Sequence, residues 1–178
     1  RNVTVVDTTD PVITITGNND ITHEYGTVYT DLGAVAVDPN INTSIDVTTV
    51  TGDSNFSFIT GISGSSTTIT YTAIDGSGNT SVTTRNVTVV DTTDPVITIT
   101  GSSVITHEYG TDYTDLGAVA VDPNINTNTT VTTVTGDPNF GFDTADVGES
   151  TTITYTAIDG SGNTSVTTRN VTVVDTTV

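Results

Sequence analysis

Residues 66–91 read STTITYTAIDGSGNTSVTTRNVTVVD, and this stretch decides the fold. Its first arm alternates, with Ile69, Tyr71 and Ala73 on one face and threonines on the other. Strict alternation of this kind is the period of a half-buried strand. Asp75 to Asn79, DGSGN, is a glycine-rich turn, and the RNVTVV that follows alternates again. The stretch is therefore a long β-hairpin with one wet and one apolar face.

Working outward, the word RNVTVVDTT that ends the hairpin also occurs at Arg1 and Arg169, so the chain repeats with a period of 84 residues. Aligning residues 1–84 with 85–168 gives 70 identities, and the 14 differences concentrate at 18–20, 44–46 and 54–65. Solenoid repeats of roughly 20 to 50 residues cannot bury a core alone, whereas about 80 to 100 residues make a self-contained sandwich. Each repeat is thus a domain. The word belongs to the closing strand of a repeat, which makes residues 1–10 the closing strand of a preceding repeat plus a linker. Residues 11–93 are the first domain and residues 94–178 the second.

Within a repeat, PVITIT (Pro11 to Thr16) is a first strand led by a proline. DITHEYGT (Asp20 to Thr27) places Ile21, His23 and Tyr25 on one face, and GAVAVD (Gly33 to Asp38) ends in the turn Asp38-Pro39-Asn40. IDVTTVT (Ile45 to Thr51) and NFSFIT (Asn55 to Thr60) flank a Gly52-Asp53 turn before the hairpin. About seven short strands at sandwich spacing predict an all-β chain of tandem immunoglobulin-like β-sandwiches arranged end to end.

The motifs DTTDPVITITG, YTDLGAVAVD and TITYTAIDGSGNTSVTTRNVTVVD resemble bacterial immunoglobulin-like repeats related to the hyalin repeat. Such repeats carry a D-x-T-x-P start, a Y-x-D-x-G-A middle and a Y-x-A-x-D-x-x-G-N finish. The resemblance covers both repeats and implies an extracellular or cell-surface array of the kind found in adhesins. One departure follows Val37, where many relatives carry an Asp-Gly-Asp-like turn and this chain reads DPNINT.

Composition narrows the partners. The formal charge is −18, with 18 Asp, three Glu, three Arg and no Lys. A nucleic-acid surface needs a basic groove, and one arginine per copy of the word does not make one. Anionic membrane surfaces are repelled for the same reason, and no apolar run approaches the roughly 20 residues of a spanning helix. Thr accounts for 45 of the 178 residues, and Val and Ile supply most of the apolar content, which favours strands over helix. With no Cys there is no disulfide staple, and with no Lys there is no Lys–Asn isopeptide cross-link.

Connectivity gives the acidic residues a place. In a seven-strand sandwich the domain start, the loop after the strand that ends at Asp122 and the last hairpin loop share one pole. Asp94, Asp122, Asn124, Asp159 and Asn163 are expected to converge there, with the linker residue Asp91 entering the pole and Glu24 reaching it from the domain before. Carboxylates and amide carbonyls are the ligands that Ca²⁺ takes, six to eight at a time. Asp and Asn also favour turns for local hydrogen-bonding reasons, so the alternative is a set of solvated turns.

Other chemistry is sparse. His23 and His107 each stand in THEYG without a nucleophile setting, and a strand-face histidine packed beside Tyr25 or Tyr109 accounts for them. A single His per repeat and no Cys do not build a zinc site. The Thr-x-Thr runs are solvent-facing strand residues on a twisted sheet rather than a flat binding lattice. Eight Asn-x-Ser/Thr sequons follow from the threonine content. The expectation is a non-enzymatic structural repeat of an extracellular stalk, adhesin or fibre, whose partners are neighbouring identical repeats. Two alternatives stand beside it. One is a calcium-dependent adhesive module that binds a glycan or cell-surface protein through its loops; the other is a filament subunit that donates Arg1–Val6 to a neighbour by strand addition.

Overall fold

The computed structural model describes residues 1–40, 43–51, 63–124, 127–135, 141–142 and 145–177. The anticipated strand NFSFIT lies outside them. The chain divides into two compact units, Arg1–Val90 and Asp91–Val178, and every element among the described residues is a strand. No helix there is long and apolar enough to cross a membrane.

In the first unit, β1 (Val12–Ile15), β3 (Ala34–Asp38) and β4 (Thr43–Ile45) form one sheet. The second sheet runs β2 (Asp20–Glu24), β7 (Thr80–Val90), β6 (Ser66–Ile74) and β5 (Val47–Thr51). The hairpin pairs as its sequence predicts, antiparallel from Ser66 opposite Thr88 to Ile74 opposite Thr80. Asp75 closes its loop by accepting the amide protons of Ser77 and Asn79 on Oδ1. Thr67, Ile69, Tyr71 and Ala73 alternate into the interior from β6, and Arg85, Val87 and Val89 from β7. Ile69, Tyr71 and Val87 form the core, and Ile13, Ile15, Ile21, Tyr29, Ala34 and Val47 close over it from both sheets. Burial of this apolar surface is the main force that holds the sheets together.

The second unit repeats the plan with β8 (Val96–Ile99), β9 (Val104–Glu108), β10 (Ala118–Asp122), β11 (Thr127–Thr135), β12 (Ser150–Ile158) and β13 (Thr164–Val174). Its core is Ile153, Tyr155 and Val171, covered by Ile97, Ile99, Ile105, Tyr113, Ala118 and Phe142. One difference has a sequence cause. β11 is a single strand that pairs first with β10 and then with β12, where the first unit has β4 and β5 with Asp46 between them. The residue at the matching place is Thr130, and threonine favours a strand interior that aspartate disfavours.

One copy of the word stands apart, and one expectation is corrected. Residues 85–90 and 169–174 are strand, but the same RNVTVV at residues 1–6 is not, and Val3 and Val5 are exposed. In the later copies the word lies between β6 and β2, or between β12 and β9; at residues 1–6 no strand among the described residues pairs with it. The histidine ring also finds a different neighbour. His23 meets Tyr29 edge-on at 5.2 Å rather than the anticipated Tyr25, and His107 meets Tyr113 and Phe142 in the same way.

Candidate cation site

The inward phase of β10 carries Ala118, Ala120 and Asp122, so alternation puts a carboxylate where a hydrophobe would sit. Asp122 is 1% exposed. Its Oδ1 accepts the backbone N–H of Asn124, and its Oδ2 is buried with no hydrogen-bond partner. Burying such an oxygen unpaired is costly. Asp159 follows β12 directly and opens the hairpin loop, where it accepts N–H bonds from Ser161 and Asn163 and the Asn163 side-chain amide. Burial opposes its ionisation, but those bonds outweigh burial and hold its pKa below the ordinary carboxylate value.

Asp91, in the linker word, completes the group. One oxygen from each of Asp91, Asp122 and Asp159 lies within 4.8 Å of the others. The Asn124 side-chain amide donates to Asp91 Oδ1, Ser161 Oγ donates to Asp91 Oδ2 at 2.8 Å, and Asn163 Nδ2 donates to the Asp91 carbonyl. Five of the seven residues expected at this pole are thus one hydrogen-bonded group. Asp94 is exposed and stands outside the carboxylate cluster. Glu24 ends β2 in the other unit, beside Val90. Its counterpart Glu108 accepts the N–H and hydroxyl of Thr176, just beyond β13.

The same arrangement recurs in the first unit with Asp7, Asp38 and Asp75, again within 4.8 Å. Asn40 Nδ2 donates to Asp7 Oδ1, and Asn79 Nδ2 donates to both the Asp7 carbonyl and Asp75 Oδ2. The side-chain bond from Asn79 leads in lowering the Asp75 pKa. The 84-residue period maps these three onto Asp91, Asp122 and Asp159, a signal that was legible in the sequence and unused.

No arginine neutralises either cluster. The ion pairs among the described residues are Arg85 with Asp31 and Arg169 with Asp115, each a buried arginine on a partly buried aspartate. Sequence reasoning missed these. Arg85, 1% exposed, donates to Asp31 and, through Nε and Nη2, to the carbonyls of Asn18 and Thr16. Tyr71 and Tyr29 add hydroxyl bonds to Asp31. The available signal was the inward phase of Arg85 beside Val87 and Val89.

Residues 13–89 and 97–173 each match the family described as bacterial surface protein, Ig-like domain. The chain is 33% identical to hyalin of Strongylocentrotus purpuratus over 187 residues, which span 98% of this chain and 15% of that protein. It is 35% identical to hyalin of Lytechinus variegatus over 184 residues, spanning 99% of this chain and 33% of that one. Among solved structures, a protocadherin gammaB7 EC3-6 cis-dimer matches at 18% identity and a TM-score of 0.36, over 94% of this chain and 48% of that one. With both repeats matched nearly end to end, the chain belongs to the family of bacterial surface protein Ig-like domains.

Proposed function

We propose that the two repeats are load-bearing segments of an extracellular stalk or fibre. The observation that carries this reading is the parallel pairing of β2 with β7, from Asp20 opposite Asn86 to Glu24 opposite Val90. Two further bonds extend the ladder, Asn86 N–H to the Asn19 carbonyl and Tyr25 N–H to the Val90 carbonyl. β2 lies near the entry of the chain into the unit and β7 at its exit. Tension along the chain therefore pulls the two strands in opposite directions along their axes. All the rungs share that load at once, whereas a zipper would break them singly. β9 and β13 repeat the arrangement, from Val104 opposite Asn170 to Glu108 opposite Val174.

The near-identity of the repeats supports the same reading, because length is gained by addition when each domain holds its own core. Membership of a surface-protein family supports the location. The test compares the force that opens a unit pulled through the chain termini with the force for a pull that unzips β6 from β7. The chain has no native cysteine to compete with engineered attachment points. Labelling of intact cells by an antibody against the repeat tests the extracellular location.

A further inference from the structure

We propose that Asp91, Asp122 and Asp159 together bind one calcium ion, that Asp7, Asp38 and Asp75 bind a second, and that each ion ties a linker aspartate to the loop pole of its own unit. The inference is independent of any load the repeats carry.

Two observations meet at the site. The first is three carboxylates with oxygens within 4.8 Å of one another and no arginine paired with them. At such separations each fully ionised pair repels by roughly 3–4 kcal/mol at an effective dielectric constant of about 20. The second is the unpartnered Oδ2 of Asp122, on a side chain that is almost wholly inaccessible. Ordinary turn chemistry explains Asp159, whose oxygens are used by Ser161 and Asn163. It does not explain a strand-end carboxylate, buried on the core side, with one oxygen left over. A cation answers both at once, since it balances the repulsion and takes up the spare oxygen.

The donor set selects the ion. Every donor is an oxygen, which disfavours zinc and the softer transition metals. Mg²⁺ demands near-ideal octahedral geometry and keeps most of its water, whereas Ca²⁺ accepts six to eight oxygens in adaptable geometry. Carboxylates from a linker, a strand end and a hairpin loop suit the second. Asp91 differs from the other two in coming from the segment between strands of different units. Binding therefore orders the linker at its first residue.

The test is isothermal titration of Ca²⁺ into the EDTA-stripped 178-residue chain. Two ions per chain are expected, one for each cluster. Asp122→Asn should leave one, and Asp38→Asn combined with Asp122→Asn should leave none. Asp91→Asn, on a partly exposed linker residue, should also leave one while the far-ultraviolet circular dichroism stays unchanged; this variant carries the test if the buried substitution does not fold. Asp112→Asn, exposed and outside the cluster, should leave both. Absence of binding at millimolar Ca²⁺, or two ions retained by the double variant, would overturn the proposal. Mg²⁺ binding as tight as Ca²⁺ would overturn the choice of ion.

Discussion

The hydroxyl of Tyr71 lies 2.9 Å from both carboxylate oxygens of Asp31, a residue 40 positions earlier, and the Arg85 guanidinium closes on the same carboxylate. Tyr155, Asp115 and Arg169 repeat the relationship. Each group thus joins the loop before β3 to the two arms of the hairpin. Arg85 is buried but Asp31 is partly exposed, so removing the guanidinium costs the carboxylate its ion partner in a half-wet site, at roughly 1–3 kcal/mol. Arg85→Met is therefore expected to destabilise the first unit alone by that amount, and Arg169→Met the second. In urea each variant should unfold in two steps, the early one belonging to the altered unit. A single unshifted transition would show that the pair contributes little.

The same group sets an alkaline limit. Burial, then the hydrogen bond to Asp31 and its charge, push Tyr71 up to about 12, and Tyr155 rises equally beside Asp115. In the folded chain these phenols titrate above the ordinary tyrosine value of 10.0, so the folded state is favoured fully below pH 10. That contribution is lost as pH rises from 10 towards 12, because the unfolded chain releases its protons first. The near-ultraviolet absorbance of tyrosinate should lag behind that of free tyrosine over this range, and Tyr71→Phe together with Tyr155→Phe should remove the latest part of the rise. Titration of every phenol near pH 10 in the folded chain would contradict the assignment.

The carboxylate side of the group gives the opposite dependence. Burial works against ionised Asp31, but hydrogen bonds from Tyr71 and Arg85 outweigh it and set its pKa below 3.8. Its contribution is present above pH 3.8 and is lost as pH falls through the lowered value. Asp31→Asn should therefore flatten the acid limb of the stability curve of the first unit, as read from urea midpoints between pH 2 and pH 5, a range set about the usual Asp value. An unchanged acid limb would place the dependence elsewhere.

Much of the sandwich was legible because its signals are local. Ile69, Tyr71 and Ala73 alternate within five residues, and an 84-residue period needs only the chain laid over itself. Asp122 and Asp159 could be sent to one pole because sandwich connectivity brings strand ends together. Arg85 was not legible in the same way. Its inward phase was visible, but its partner Asp31 is 54 residues distant, and a lone arginine in an acidic chain reads as a surface charge until that partner is known.

Backbone conformation allows a sharper test at two glycines. Gly17 has φ of +89°, and an added Cβ would meet Leu32 Cδ1 at 3.3 Å. Gly76 has neither a positive φ nor a neighbour within 4 Å. Gly17→Ala should cost about 1–2 kcal/mol from the left-handed backbone, while Gly76→Ala should stay within about 0.5 kcal/mol of the parent. Thermal unfolding of the two variants checks the contrast, and equal melting temperatures would refute it.

The load-bearing account is tested most directly by single-molecule extension of the chain through its termini. Two separate opening events are predicted, one per unit, each freeing roughly 25 nm for the residues between its first and last strands. Both should need distinctly more force than a pull through cysteines at Ser66 and Thr88, which face each other at the end of the β6–β7 ladder and separate by unzipping. Opening through the termini at a force no higher than the unzipping pull would contradict the account.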